Sequence, residues 1–242
     1  MTIVSALLAF ATAASPATDR CGNLMEPLVP VQTVKEGEPQ PKLCTSDGRF
    51  CAFASNVDDG RGQAELQLFE GKAATAPVAV KGLDGGYDTG RFDVWPHLVR
   101  LADGTMLVGA TQYSFNGYAG GGGSASTLWL YRVEQGKGED GFTLVFETVL
   151  SAGKMIRACF GERDMKMRRG ACHDEYAFSG KLALDPEPAN GMPRFSMETE
   201  ATTYPGDVSM DSDSTTRPKL RKSDLIHKRD AHCSYRRVFA FD

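Results

Sequence analysis

Between Tyr176 and Asp185 the chain alternates strictly: Tyr176, Phe178, Gly180, Leu182 and Leu184 fall on one side, and Ala177, Ser179, Lys181, Ala183 and Asp185 on the other. A half-buried strand repeats with this period of two. Pro186 to Gly191 interrupt it, and Phe195, Met197, Thr199, Ala201 and Thr203 resume it, which predicts a hairpin whose loop is too long for a tight turn. Ala64, Leu66 and Leu68 keep the same rhythm, as do Phe142, Leu144 and Phe146. The segment STLWLYRV is apolar on both faces and predicts a central strand. Only ERDMKMRR reads otherwise: Arg168 and Arg169 followed by Gly170 form the charge-and-glycine ending of a short helix near 162–169.

Two Asp-Gly pairs punctuate the strands. Taken as a two-residue turn, Asp47-Gly48 sets Ser46 against Arg49, Thr45 against Phe50 and Cys44 against Cys51, the last as a hydrogen-bonded pair. Asp103-Gly104 similarly sets Val99 against Val108 and Leu101 against Met106, all four on one face. Each turn leads into a strand, a glycine-bearing loop and an L-x-L-aromatic strand. This succession of meanders resembles the blades of β-propellers, in which an Asp-Gly turn often precedes such a strand. Two units and a cysteine-modified third are fewer than the usual four or more blades, so the expected fold is all-β, with antiparallel meanders forming a sandwich or barrel, and a small propeller is the alternative.

Residues Ile3 to Ala14 form an apolar run of signal-peptide length, shorter than the about 20 residues needed to span a bilayer, although no Lys or Arg precedes it. The expected organisation is a signal peptide over 1–17 and one β domain over 18–242, periplasmic or secreted and without stable membrane insertion. Six cysteines in an oxidising compartment are expected to pair as Cys44–Cys51, Cys159–Cys172 and Cys21–Cys233, the last tying the amino terminus to the final strand. No CxxC spacing suggests zinc, and Asp207, Asp211 and Asp213 do not match a calcium loop. Neither a metal nor another cofactor is expected.

A composition of 41% hydrophobic and 24% charged residues is that of a globular chain. Charge is uneven: Lys154 to Arg169 sums to +4 and Arg217 to Asp242 to +5, which leaves −13 for the remainder of a chain with net charge −4. A pI near 5.6 argues against nucleic acid as a partner.

The candidate chemistry lies in Gln112-Tyr113-Ser114-Phe115-Asn116-Gly117-Tyr118-Ala119 and the four glycines after it. Tyr113, Phe115 and Tyr118 offer rings on which a sugar or another apolar-faced ligand stacks, with Asn116 and Gln112 as hydrogen-bonding groups. The expectation is that at least two rings are exposed and line one concavity. His173-Asp174-Glu175 is the densest titratable group, yet neighbours on a strand point to opposite faces. His97, His227 and His232 are scattered, and neither GxSxG nor HExxH occurs. The first reading is an exported cell-envelope binding or structural module for carbohydrate or another envelope component. The alternative is a secreted hydrolase pairing Asp174 or Glu175 with Asp88 or Asp93.

Overall fold

The computed structural model describes residues 15–31, 42–57, 63–81, 89–134, 137, 141–206, 208–209 and 219–241. The expected signal peptide up to residue 14, Asp88, Asp207, Asp211 and Asp213 lie outside them.

Among the described residues every strand pairing is antiparallel, and the strands form two sheets. The smaller sheet contains β3 (Val29–Pro30), β4 (Leu43–Cys44), β5 (Phe50–Val57), β6 (Gln63–Glu70) and β7 (Ala73–Ala74) in that order, with β8 (Val78–Lys81) also on β6. The larger runs from β1 (Ala17–Thr18) and β2 (Leu24–Pro27) through β9 (Thr89–Arg100), β10 (Met106–Tyr118), β11 (Gly121–Val133), β12 (Phe142–Arg157), β13 (His173–Ala189) and β14 (Met192–Tyr204) to β15 (Lys228–Arg229). There β14 also pairs with β16 (Arg236–Ala240). One continuous curled sheet with a second sheet against it is a sandwich with barrel-like curvature, not a ring of separate blades.

Two cores explain the doubly apolar segments. Ala52, Ala54, Leu66 and Leu68 of the smaller sheet pack against Val108, Ala110, Trp129 and Tyr131 of the larger. On the opposite face of β10 and β11, Leu107, Leu128 and Leu130 meet Leu184 and Phe195 as the sheet curls round. STLWLYRV therefore lies in a central strand covered on both sides.

Turn chemistry changed one register. Leu101 N–H donates to Thr105 O (2.8 Å), Gly104 takes φ 86°, and Asp103 accepts from the Thr105 N–H (2.9 Å) and hydroxyl (2.7 Å). The loop thus has three residues rather than two, so Val99 faces Leu107 and Leu98 faces Val108. A one-residue slip sends side chains to the other face. It is tolerated because both faces are buried, and Val99 and Val108 lie in different cores. At Asp47 the loop spans 46–49: Thr45 N–H donates to Phe50 O (2.8 Å) and Gly48 N–H to Thr45 O (2.8 Å). Cys44 still faces Cys51, but as a non-hydrogen-bonded pair, with Cα atoms 4.0 Å apart.

The β13–β14 connection is also shorter than the sequence suggests. Strand β13 continues through Pro186 and Pro188, with a bulge between Asp185 and Ala189 that needs no donor from either proline. The turn is Asn190-Gly191, both with positive φ (50° and 81°), as a two-residue hairpin turn requires. Phe142 and Phe146 serve different cores because a bulge near Val145 reverses the alternation and leaves Leu144 exposed.

Helix α1 (Glu162–Met167) ends at Gly170, whose N–H donates to Met165 O (2.9 Å) at φ 85°. Cys159 and Cys172 are bonded across it. The expected third bridge is absent, and Cys21 and Cys233 are free and exposed. Cys21 lies in the β1–β2 turn, where Asn23 Nδ2 donates to Gly191 O (3.2 Å), whereas Cys233 O accepts from Thr199 Oγ1 (2.9 Å). The seven or so residues of β14 between those anchors separate the two by roughly 20 Å. Two disulfides place the chain in an oxidising, non-cytoplasmic compartment. Among the described residues no helix is long and apolar enough to cross a membrane.

Candidate functional site

The glycine-rich segment is not a loop. Strands β10 and β11 pair without a register break from Met106–Val133 to Tyr118–Gly121, so Gly121, Gly122 and Gly123 are strand residues facing Tyr118, Gly117 and Asn116. Only Ala119 and Gly120 turn the chain. Glycine is required at 121, where φ is 155° and a Cβ would stand 2.1 Å from Met155 O. The Phe115 ring lies over the bare backbone, 3.0 Å and 3.5 Å from where the side chains of Gly117 and Gly122 would begin.

The hairpin has two halves. From Met106 to Gln112 it is buried between the two cores, whereas from Tyr113 outward it projects into solvent. Tyr113, Phe115 and Tyr118 are 51%, 49% and 59% exposed. Tyr113 and Phe115 share a face, but alternation turns Asn116 and Tyr118 to the other, so the three rings do not line one concavity. Gln112 is buried at the middle of the strand and points to the face opposite Tyr113 and Phe115.

Directly paired residues in an antiparallel ladder project to the same side. From Tyr113 the pairing continues through Ser126, Ser151 and Ser179 to Glu200. From Phe115 it continues through Ser124, Gly153, Ala177 and Thr202 to Arg229. Two neighbouring rows thus cross the projecting half of the sheet, with rings at one end, small and mostly hydroxylated residues along the floor, and opposite charges at the other end. At about 4.8 Å per strand, β10 and β14 stand about 19 Å apart. The charged end opens as a cleft of about 380 Å³ lined by Ser179, Lys181, Glu198, Thr199, Glu200 and Arg229. Sequence reasoning missed these partners because Ser124, Ser126, Ser151 and Arg229 lie where no alternation was legible, and because the register of the strands carrying Ser179 and Glu200 was not.

Of the hydrolase pairs, those with Asp88 lie outside the described residues, and those with Asp93 are not assembled. His173 and Glu175 are exposed, while Asp174 is wholly buried and bound to the Arg168 guanidinium, itself 1% exposed. Arg168 Nε also donates to Ala171 O (2.8 Å). Burial raises the Asp174 carboxyl above its ordinary value, against the pull of Arg168. Asp93 of β9 pairs with Thr111 of β10, whereas Glu175 aligns with Met155, Gly122 and Gly117, which puts Asp93 about 20 Å away along the strands and about 19 Å across them. His97 packs 4.8 Å from Trp95, and burial lowers its pKa. His227 stacks 4.9 Å from Tyr204, and His232 is exposed.

A second cleft, of about 420 Å³, lies between the sheets around Phe50. Its two guanidiniums are occupied: Arg49 binds Glu70 (2.8 Å) and Arg100 binds Glu26 (2.7 Å). No group of three or more His, Cys, Asp or Glu residues suited to a metal occurs among the described residues. Compared with known protein families, curated proteins and solved structures, the chain matches none.

Proposed function

We propose that this protein is an exported envelope module that binds an extended, polar chain with apolar faces, such as a glycan, across the projecting half of its large sheet. The observation that carries this reading is the pair of rows from Tyr113 to Glu200 and from Phe115 to Arg229. Sugar rings present a C–H face that stacks on an aromatic ring and hydroxyls that bond to serine, carboxylate and guanidinium. Small floor residues let such a chain lie close to the strands, whereas Asn116 and Tyr118 point to the reverse side of the hairpin.

A hydrolase remains the second reading because Glu198 and Glu200 line one cleft from alternate positions of β14, about 7 Å apart along the strand. Both project from the same side of one strand. A glycosidase needs its two carboxyls to flank the scissile bond, so the arrangement favours binding.

Glycan-array binding followed by calorimetry tests the proposal. Tyr113→Ala and Phe115→Ala should each weaken binding at least tenfold, whereas Tyr118→Ala should have the smaller effect. Retention of wild-type affinity by the Tyr113→Ala/Phe115→Ala double variant would remove the reading. Bound glycan shortened by wild-type protein but not by Glu200→Gln would instead establish the hydrolase.

A further inference from the structure

The far end of the same hairpin carries an apolar cluster that the ligand face does not use. The Tyr118 ring lies against Gly120, with Cε2 3.0 Å from where a Cβ would stand, and Gly120 O accepts the Arg157 N–H at 2.7 Å. The Arg157 guanidinium sits 5.3 Å over the Phe160 ring. Phe160 is 64% exposed, and Met165, in the helix that follows it, is 53% exposed. Three large apolar side chains, Tyr118, Phe160 and Met165, thus lie exposed at one end of the molecule.

Around them the charge is positive. Lys154, Arg157, Arg163, Lys166 and Arg169 are all exposed. The Leu220 N–H donates to Met167 O (2.9 Å) and Arg169 Nε to Leu220 O (3.0 Å), which brings exposed Lys219, Arg221 and Lys222 to the same end. Against these eight cations stand four carboxylates, Glu162, Asp164, Glu175 and Asp224, since Arg168 and Asp174 neutralise each other. Among the described residues this end thus carries +4, in a chain of net charge −4.

We propose that this end docks on the surface of an anionic lipid bilayer. Phosphate headgroups match the basic collar, and the interfacial zone beneath them accommodates Tyr118, Phe160 and Met165, which a soluble polyanion would leave in water. A positive end on a chain of net negative charge turns that end toward a negative surface. Docking is peripheral: the side chains reach the interface while the strands stay outside the hydrocarbon.

The test is cosedimentation of the full mature chain with vesicles of phosphatidylcholine alone or with one quarter phosphatidylglycerol, at low and physiological ionic strength. Binding is expected only to the anionic vesicles and should weaken with salt. Arg163→Gln and Lys166→Gln should each lower partitioning about fivefold. Tyr118→Ser/Phe160→Ser should abolish it without shifting the melting temperature, and a tryptophan at 118 (Tyr118→Trp) should blue-shift its emission on vesicles. Equal binding to neutral vesicles, wild-type partitioning of the double serine variant, or competition by heparin with no effect of the ring substitutions would each overturn the proposal.

Discussion

Replacing Arg168 with methionine would leave the Asp174 carboxylate inside the protein without its cation. Removing one partner of a buried ion pair costs about 3–5 kcal/mol, because the remaining charge is neither solvated nor matched. Replacing both, as Arg168→Met/Asp174→Leu, should recover most of that. The residual loss is about 1 kcal/mol for the hydrogen bond from Arg168 Nε to Ala171 O. Urea unfolding followed by circular dichroism, with the disulfides intact, would measure the four corners of the cycle, and a coupling of at least ~2 kcal/mol is expected. The pH dependence supplies a second signature. With the carboxyl's folded pKa raised above the unfolded value of 3.8, the folded state holds the proton at higher pH. The single variant should therefore regain stability as pH falls through the raised pKa toward that value. A loss below ~1 kcal/mol for Arg168→Met, or a double variant as unstable as the single one, would refute the reasoning.

Gly121→Ala should open the hairpin tip, because the new Cβ meets Met155 O at 2.1 Å with the backbone at φ 155°; faster hydrogen exchange at Arg157 N–H would report it. Asp185 is held below the ordinary carboxylate range by the hydrogen bond from Arg194 Nη2 (2.7 Å) and by the Glu187 N–H. Its contribution is present above the unfolded value of 3.8 and is lost as pH falls through the lower folded pKa, so Asp185→Asn should flatten acid unfolding there. Removal of Cys159–Cys172 should cost about 3 kcal/mol and of Cys44–Cys51 about 2.5, following their loop lengths, as thermal melts would show. Native alkylation should modify Cys21 and Cys233 and leave the other four cysteines untouched.

Periodicity made the strands legible, because alternation records which side of a strand is buried: Ala64, Leu66 and Leu68 all turned inward as they read. Register was harder. Whether Asp103-Gly104 closes a two- or three-residue loop depends on where Thr105 donates its hydrogen bonds, and apolar residues on both faces gave no penalty to choose between the two. The same ambiguity hid the candidate site. Tyr113 and Phe115 were visible as aromatics beside glycine, but their partners lie up to 114 residues away, and local patterning carries no trace of Ser126 meeting Ser151 or Ser179 meeting Glu200. Four consecutive glycines read as a loop because what lies against them, the Phe115 and Tyr118 rings and the backbone of β12, belongs to other strands.

The unbroken ladder of β10 and β11 has a kinetic corollary. Its inner half is clamped between two cores, and hydrogen bonds carry that rigidity outward to the rings without an intervening hinge. A ligand arriving on the outer half meets a surface already in shape, so association should proceed in a single exponential phase with a rate linear in ligand concentration. No slow isomerisation should precede or follow it.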